Sequence, residues 1–435
     1  MFIRSSPAVL CLSLLLAVPP PQLPKGVAAL RPETTKKMEE LLAAAEKYRG
    51  LKALRPVPAG SMEMKGVKAK LREILTTQVP AETLKGAEAT LKAFGLIPER
   101  LDLGRHYVDL LGSQVAGFYD PEEDYMALVR HSGKGAGELA GMEDAVLVHE
   151  LTHALQDQHF DLEKLLGDDP LADAETARSA LVEGDATLTM TSYSLGTNLE
   201  SMPGSDQVVE TMLKRPDTLL EAAADLPGSR ELAAAPAWIR ENLLFGYFQG
   251  MAFALSAKAR GGQKLLDHAF IADPPRSTEQ ILHPEKWHGR RDDPIVVRLP
   301  DLGAELPGWR RVAEGEMGEF SLRVLLREGL ADQPRAYAAA AGWGGDRFAV
   351  YVKGRERIVA WVTDWDTDED AREALAALAS LKGGWRAEAA GPRRVVVTRG
   401  PLEGERLAAV RARLAAAPAE KPANRDIDLA AIGVS

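Results

Sequence analysis

Apolar positions in the first part of the chain recur at helical spacing. Thr34 to Leu51 sets Met38, Leu41, Leu42 and Ala45 on one face, the pattern of an amphipathic helix. Val67 to Val79 and Ala81 to Leu96 repeat the style. The period then changes. Gln114 to Tyr119 and Tyr125 to Val129 flank Asp120-Pro121-Glu122-Glu123-Asp124, which predicts a strand, a turn rich in breakers and a second strand. Ser132 to Gly141 reads as a loop, and helices are predicted from about Met142 to Phe160, from about Ala174 to Leu195 and over 236–272. Residues 273–291 are irregular and punctuated by proline.

Beyond Pro294 the runs shorten again. Ile295 to Val297, Phe348 to Val352, Ile358 to Val362 and Arg394 to Val397 read as strands, with a helix over Asp368 to Leu381. The expected class is α+β. A mostly helical domain with a small sheet is followed by a C-terminal α+β domain. The boundaries read as a helical region at 30–105, a main domain at 106–293, the C-terminal domain at 294–417 and a flexible Ala- and Pro-rich tail at 418–435.

Composition narrows the function. The 435 residues carry a net charge of −10, which offers no clustered cation for a nucleic acid or an anionic membrane. Arg4 followed by the apolar run Ala8 to Val18 has the form of a secretory signal and is too short to span a bilayer. With residues 1–29 as the signal, the expected location is exported, periplasmic or extracellular. The single cysteine, Cys11, lies inside that segment. The mature chain then has neither a disulfide nor a thiolate nucleophile, and no stable membrane span.

The chemistry concentrates at His149-Glu150-Leu151-Thr152-His153. Histidines four apart on a helix project from one face, and two imidazoles so placed reach a single Zn2+ at about 2.0–2.1 Å. Glu150 lies too far round the helix to compete for the metal, yet it reaches a water at that metal as general base.

A third protein ligand is required, and two residues compete. His159 has the metzincin spacing, but that motif breaks its helix with a Gly where this chain has Gln156. A continued helix turns His159 roughly 240° away. Glu183, in Ala180-Leu181-Val182-Glu183-Gly184-Asp185-Ala186, is a carboxylate in an apolar stretch and needs a partner. That partner is either the metal or a cation such as Arg178. Asp185 and Asp157 are candidates to orient the imidazoles.

These residues resemble the gluzincins, the thermolysin-like branch of the zincin-like zinc metallopeptidases. The wider pattern is similar to an uncharacterised group of exported bacterial proteins in that superfamily. It is carried by Gln114 to Pro121, His149 to Phe160, Glu183 to Ala186, Pro275 to Pro284 and Gly342 to Arg347. The resemblance implies a zincin-like catalytic domain over 106–293. It implies hydrolysis of a peptide or protein substrate, with His149, His153 and Glu183 on zinc and Glu150 as base. One departure stands out: many gluzincins place an Asp four residues after the ligand Glu, and here Thr187 stands there.

In zincins an edge strand beside the zinc helix pairs with an extended peptide. The hairpin at 114–129 is either that strand or an ordinary core hairpin. Ser277-Thr278-Glu279-Gln280 has capping-box spacing, so a short helix ends before Pro284 and holds His283 rigidly. His283 is therefore a candidate donor to the oxyanion, with helix capping as its alternative and Tyr247 or Tyr119 next in line. Glu279 is a second candidate active-site group. Phe245, Tyr247, Phe248 and Phe253 read as core. The alternating Asp364, Asp366, Asp368 and Asp370 lack the EF-hand glycine and read as a solvated, N-capping turn. A non-catalytic binding or assembly module of the same fold, and a zinc amidohydrolase acting on a cell-wall amide, are the alternative functions.

Overall fold

The computed structural model describes residues 23–77, 80–114, 117–130, 144–167, 172–214, 229–330 and 332–434. The expected loop over Ser132 to Gly141 and most of the expected signal segment lie outside them. The class is α+β and mostly helical.

The first sheet has the order β1-β2-β4-β3, with β1 at Ala28–Ala29, β2 at Ala59–Glu63, β3 at Gly117–Asp120 and β4 at Tyr125–Arg130. β2 runs parallel to β4, while β3 pairs with it antiparallel, Gly117 opposite Leu128 and Tyr119 opposite Met126. Successive strand side chains alternate between faces, and β4 uses both. Met126 and Leu128 pack on helix α1 (Pro32–Arg49) and on a later helix through Leu147, Val148, Leu151 and Leu155. Tyr125, Ala127 and Val129 pack with Met62 and with Val67 of α2 (Met64–Thr77). β4 is thus interior and β3 is an edge. Helices α3 (Ala81–Phe94) and α4 (Leu103–Gln114) precede the hairpin.

α5 (Asp144–Phe160) follows the hairpin, then α6 (Leu162–Leu166) and α7 (Asp173–Leu195). After α8 (Ser205–Lys214) and α9 (Ser229–Ala234) comes α10 (Ala237–Ile271), interrupted at Gly261 and Gly262, where the backbone leaves helical angles. A β-carbon on Gly184 would lie 2.0 Å from the backbone carbon of Gly250, and one on Gly250 would lie 2.0 Å from the Ala180 carbonyl oxygen. The small-residue face of α7 therefore receives α10, and this contact sets how deeply α10 reaches toward the α5–α7 pair.

Two short helices, α11 (Thr278–Leu282) and α12 (Glu285–His288), lead into the C-terminal layer. Ser277 caps α11 through the N–H of Gln280. A five-stranded antiparallel sheet has the order β10-β11-β9-β8-β7, with β7 at Arg310–Gly315, β8 at Trp343–Lys353, β9 at Glu356–Trp365, β10 at Trp385–Ala389 and β11 at Arg394–Arg399. Helices α13 (Gly318–Leu330), α14 (Gln333–Ala340) and α15 (Asp368–Ala379) pack beside it, and α16 (Gly404–Ala415) closes the chain's helical content. One sheet face, with Phe348, Val350, Trp361 and Val397, shares a core with Phe94 of α3 and with α7 and α10. The other, with Ala349, Tyr351, Ile358 and Val396, packs on Val410 and Leu414 of α16.

The tail departs from expectation. Ala419–Glu420 pairs with Val296–Val297, and Arg425–Asp426 pairs with Arg290–Arg291. Arg425 binds Asp273, and Ile427 is buried. An Ala- and Pro-rich composition conceals these two short pairings because each uses backbone groups and only one or two anchoring side chains.

Candidate metal centre

α5 carries His149 and His153 on its inner face, one turn apart, while Leu147, Val148, Leu151 and Leu155 bury the helix against the sheet and α1. Their Nε2 atoms are 3.1 Å apart. Glu183, on α7, brings Oε2 to 3.3 Å from His149 Nε2 and 3.6 Å from His153 Nε2. Arg178, the alternative partner for Glu183, instead reaches the Leu165 carbonyl.

The three donor atoms fit a metal. A tetrahedral ion with bonds of about 2.0–2.1 Å separates its ligands by roughly 3.3–3.4 Å, close to the spacing found. Glu183 Oε2 is buried and accepts no hydrogen bond among the described residues. Two Nε2 atoms at 3.1 Å have room for one proton between them, whereas a cation satisfies all three donors together. The electrostatics agree. Burial works against a charged Glu183, but His153 and His149 hold its carboxyl well below the usual range. Burial likewise lowers His153, but Glu183 and Glu150 outweigh it and raise the imidazole to about 9. The cluster thus favours positive charge at its centre. Among the described residues, His149, His153 and Glu183 are the group of His, Cys, Asp and Glu side chains that converges closely enough to hold an ion.

Each imidazole is oriented differently. His153 Nδ1 lies 2.8 Å from Gln156 Oε1. The Gln156 amide donates onward to the Val182 carbonyl at 3.0 Å and to Asp185 Oδ2 at 2.8 Å. Asp185 accepts from Arg49 Nε at 2.5 Å, and Arg49 also pairs with Asp267 at 2.9 Å. Asp185 therefore acts on His153 through Gln156 rather than directly. Asp157 does not face an imidazole; it accepts from the Tyr119 hydroxyl at 2.8 Å. His149 Nδ1 makes no hydrogen bond among the described residues. The Tyr247 ring stacks on His149 instead, with centroids 5.6 Å apart and planes 18° from parallel. Thr187 donates to the carbonyl of Glu183 on its own helix.

Glu150 sits between this cluster and β3. A β-carbon on Gly117 would lie 3.9 Å from Glu150 Cγ. Burial raises the Glu150 carboxyl above its ordinary range, against the two histidines and the N–H of Tyr119, which stabilise the charge.

The remaining expectations separate. His159 Nε2 meets the Lys52 carbonyl at 2.7 Å, so it faces α1's end rather than the cluster. His283 has other partners, Glu319 at 3.1 Å and Glu285 at 3.7 Å. It lines a pocket with Ser256, which stands nine residues beyond Tyr247 on α10, about 13 Å of helix rise. The rigid cap does hold His283, but against α13 and away from the metal cluster. Glu279 pairs with Lys286 at 2.6 Å. Tyr247 is not core: it is 38% exposed, whereas Phe245 and Phe253 are buried. The aspartate run is paired or capping, with Asp364 on Arg394, Asp368 on Arg393 and Asp370 in a capping box with Thr367.

Arg49 and the orienting role of Gln156 escaped sequence reading. Gln156 follows His153 by three residues, a spacing at which helix side chains meet. Arg49 carried no local signal.

Residues 305–420, which span the five-stranded sheet, match a family model described as a domain of unknown function (DUF8575). No curated protein and no solved structure matches the chain.

Proposed function

We propose that the chain is an exported zinc-dependent peptidase whose centre is His149, His153 and Glu183, with Glu150 as general base. The observation that carries this reading is the convergence of three donor atoms within 3.6 Å, with Glu150 placed beside an edge strand. Zinc, when bound, acidifies water and polarises the substrate carbonyl.

The protein's own groups do the rest. Glu150, desolvated and raised, takes the proton of the attacking water and hands it to the leaving amine. Glu183, burial and Glu150 push the Tyr247 hydroxyl far above its ordinary range. Tyr247 therefore stays protonated and serves as the donor to the tetrahedral oxyanion. An extended peptide pairs with the free edge of β3. Tyr119 directs its N–H at Glu150. In an antiparallel ladder the N–H and C=O of one residue point the same way, so the Gly117 groups and the Tyr119 carbonyl remain for a substrate strand on the side away from β4. No helix among the described residues is long and apolar enough to cross a membrane. Export rests on Arg4 and the run Ala8 to Val18. Zinc stoichiometry together with peptide-library cleavage by the parent and by Glu150→Gln tests the reading.

A further inference from the structure

The free edge of β3 opens onto a cavity of about 790 Å3, within the range of small-ligand pockets. Phe118, Tyr119 and Asp120 all line it. Successive side chains of a strand face opposite ways, so what these three share is the edge itself. The opposite walls come from α3, α4 and the start of α7, and from Met317 and Phe348 of the C-terminal layer. The region matched by the domain of unknown function therefore closes one side of the cavity.

The lining is mostly apolar, with carboxylates, hydroxyls and aromatic polar groups set into it. Among the described residues its charged lining groups are acidic, but several are partnered: Asp120 pairs with Lys70 at 3.4 Å, Glu316 with Arg347 at 3.2 Å, and Asp173 accepts from Thr278. Burial above all, with Glu316 and Asp346 nearby, pushes Asp173 up to about 8 against two hydrogen bonds from Thr278. Thr90 also lines the cavity; it is 2% exposed, and its hydroxyl has no partner among the described residues. Gly117 lies beside Glu150, and Asp120 stands three residues further along the strand, about 10 Å away.

We infer that this cavity is the subsite for a bulky apolar side chain of a peptide laid along β3, two or three residues from the bond cleaved. The inference rests on the peptidase reading. The C-terminal layer thereby becomes a determinant of specificity rather than an appended domain.

The test has a binding arm that needs no turnover. Metal-free protein is titrated with the neutral apolar fluorophore N-phenyl-1-naphthylamine, then with peptides that displace it. Saturable binding is expected, with displacement by Phe- or Leu-containing peptides and not by counterparts carrying Gly in place of Phe or Leu. Leu84→Trp and Ala87→Trp, which fill the cavity from α3, should weaken binding at least tenfold while leaving zinc stoichiometry and the circular dichroism spectrum unchanged. Leu84 is half-buried, so it remains informative if Ala87→Trp fails to fold. In the cleavage arm, both variants should shift library preference at that position from large to small residues. No saturable binding, or binding unaffected by a folded variant, overturns the subsite. If no peptide is cleaved, the peptidase reading fails separately. Displacement by apolar peptides then still supports the cavity as a peptide site, and its absence overturns it.

Discussion

Gln156 holds His153 by its Nδ1 at 2.8 Å from one turn further along α5, and it spends its amide on Asp185. In the metzincin pattern a helix-breaking glycine stands at this position so that a third histidine can return to the metal. Here the helix continues, the third donor comes from α7, and the same position becomes the support that leaves His153 Nε2 facing Glu183. In the proposed zinc site, one residue type thus decides both where the third ligand comes from and how the second is aimed.

Replacing Gln156 with Leu should weaken zinc binding by about 10–100-fold, the usual cost of losing an orienting partner. His159→Ala should leave affinity unchanged, because its imidazole is engaged by the Lys52 carbonyl. A competitive chelator titration reads both. Equal affinity in Gln156→Leu, or a loss in His159→Ala, would contradict this arrangement of the site.

The contact of α7 with α10 leaves no room at Gly184. Gly184→Ala would force backbone against backbone, and overpacking of this kind costs about 1–3 kcal/mol even where side chains can yield. A drop in melting temperature is expected, larger than that of Gly196→Ala, whose β-carbon would meet nothing within 4 Å, although Gly196 has a left-handed backbone. Comparable losses for the two would show that the helices have room to separate.

Tyr247→Phe keeps the ring stacked on His149 and removes only the hydroxyl. Turnover should fall by about 10²–10³-fold, the range for loss of one oxyanion donor, with zinc affinity and KM little changed. An unchanged kcat would remove Tyr247 from the mechanism.

His283 gives a pH signature for the fold. Burial acts to lower its pKa, but Glu319 and Glu285 prevail and raise it from 6.5 to about 9. The folded state thus holds the proton more tightly than the unfolded chain. The resulting stabilisation is complete below about pH 6.5 and is lost as pH rises through 9. His283→Asn should therefore cost on the order of 1–3 kcal/mol at pH 6 and progressively less toward pH 9.5 in urea melts. A penalty independent of pH would contradict the ion pair with Glu319.

Much of this was legible in the sequence where local chemistry governs. The α5 motif, Glu183 as a lone carboxylate among apolar residues, the breaker-rich hairpin turn and the Ser277 cap all act within a few residues of themselves. What was not legible depends on long-range contact. Arg49 is recruited from 136 residues away, and nothing at Arg49 marks it as buried. Tyr247 sits in an aromatic run whose neighbours Phe245 and Phe253 are core. Only the Gly184–Gly250 contact, which fixes how α10 lies on α7, singles it out. The partner of His283 was hidden for the converse reason: a rigid cap predicts a well-held side chain without saying that it is held against Glu319. The paired tail was missed because short backbone ladders leave almost no compositional trace.

Glu150 is proposed to act as a base beside a zinc held by His149, His153 and Glu183. The most direct test of this role compares the parent with Glu150→Gln, measuring bound zinc by elemental analysis and turnover on the best library peptide. One zinc per chain is expected in both proteins, with turnover lost by several orders of magnitude in the variant. Absence of zinc from the parent after incubation with the metal, or a variant as fast as the parent, would contradict this proposal.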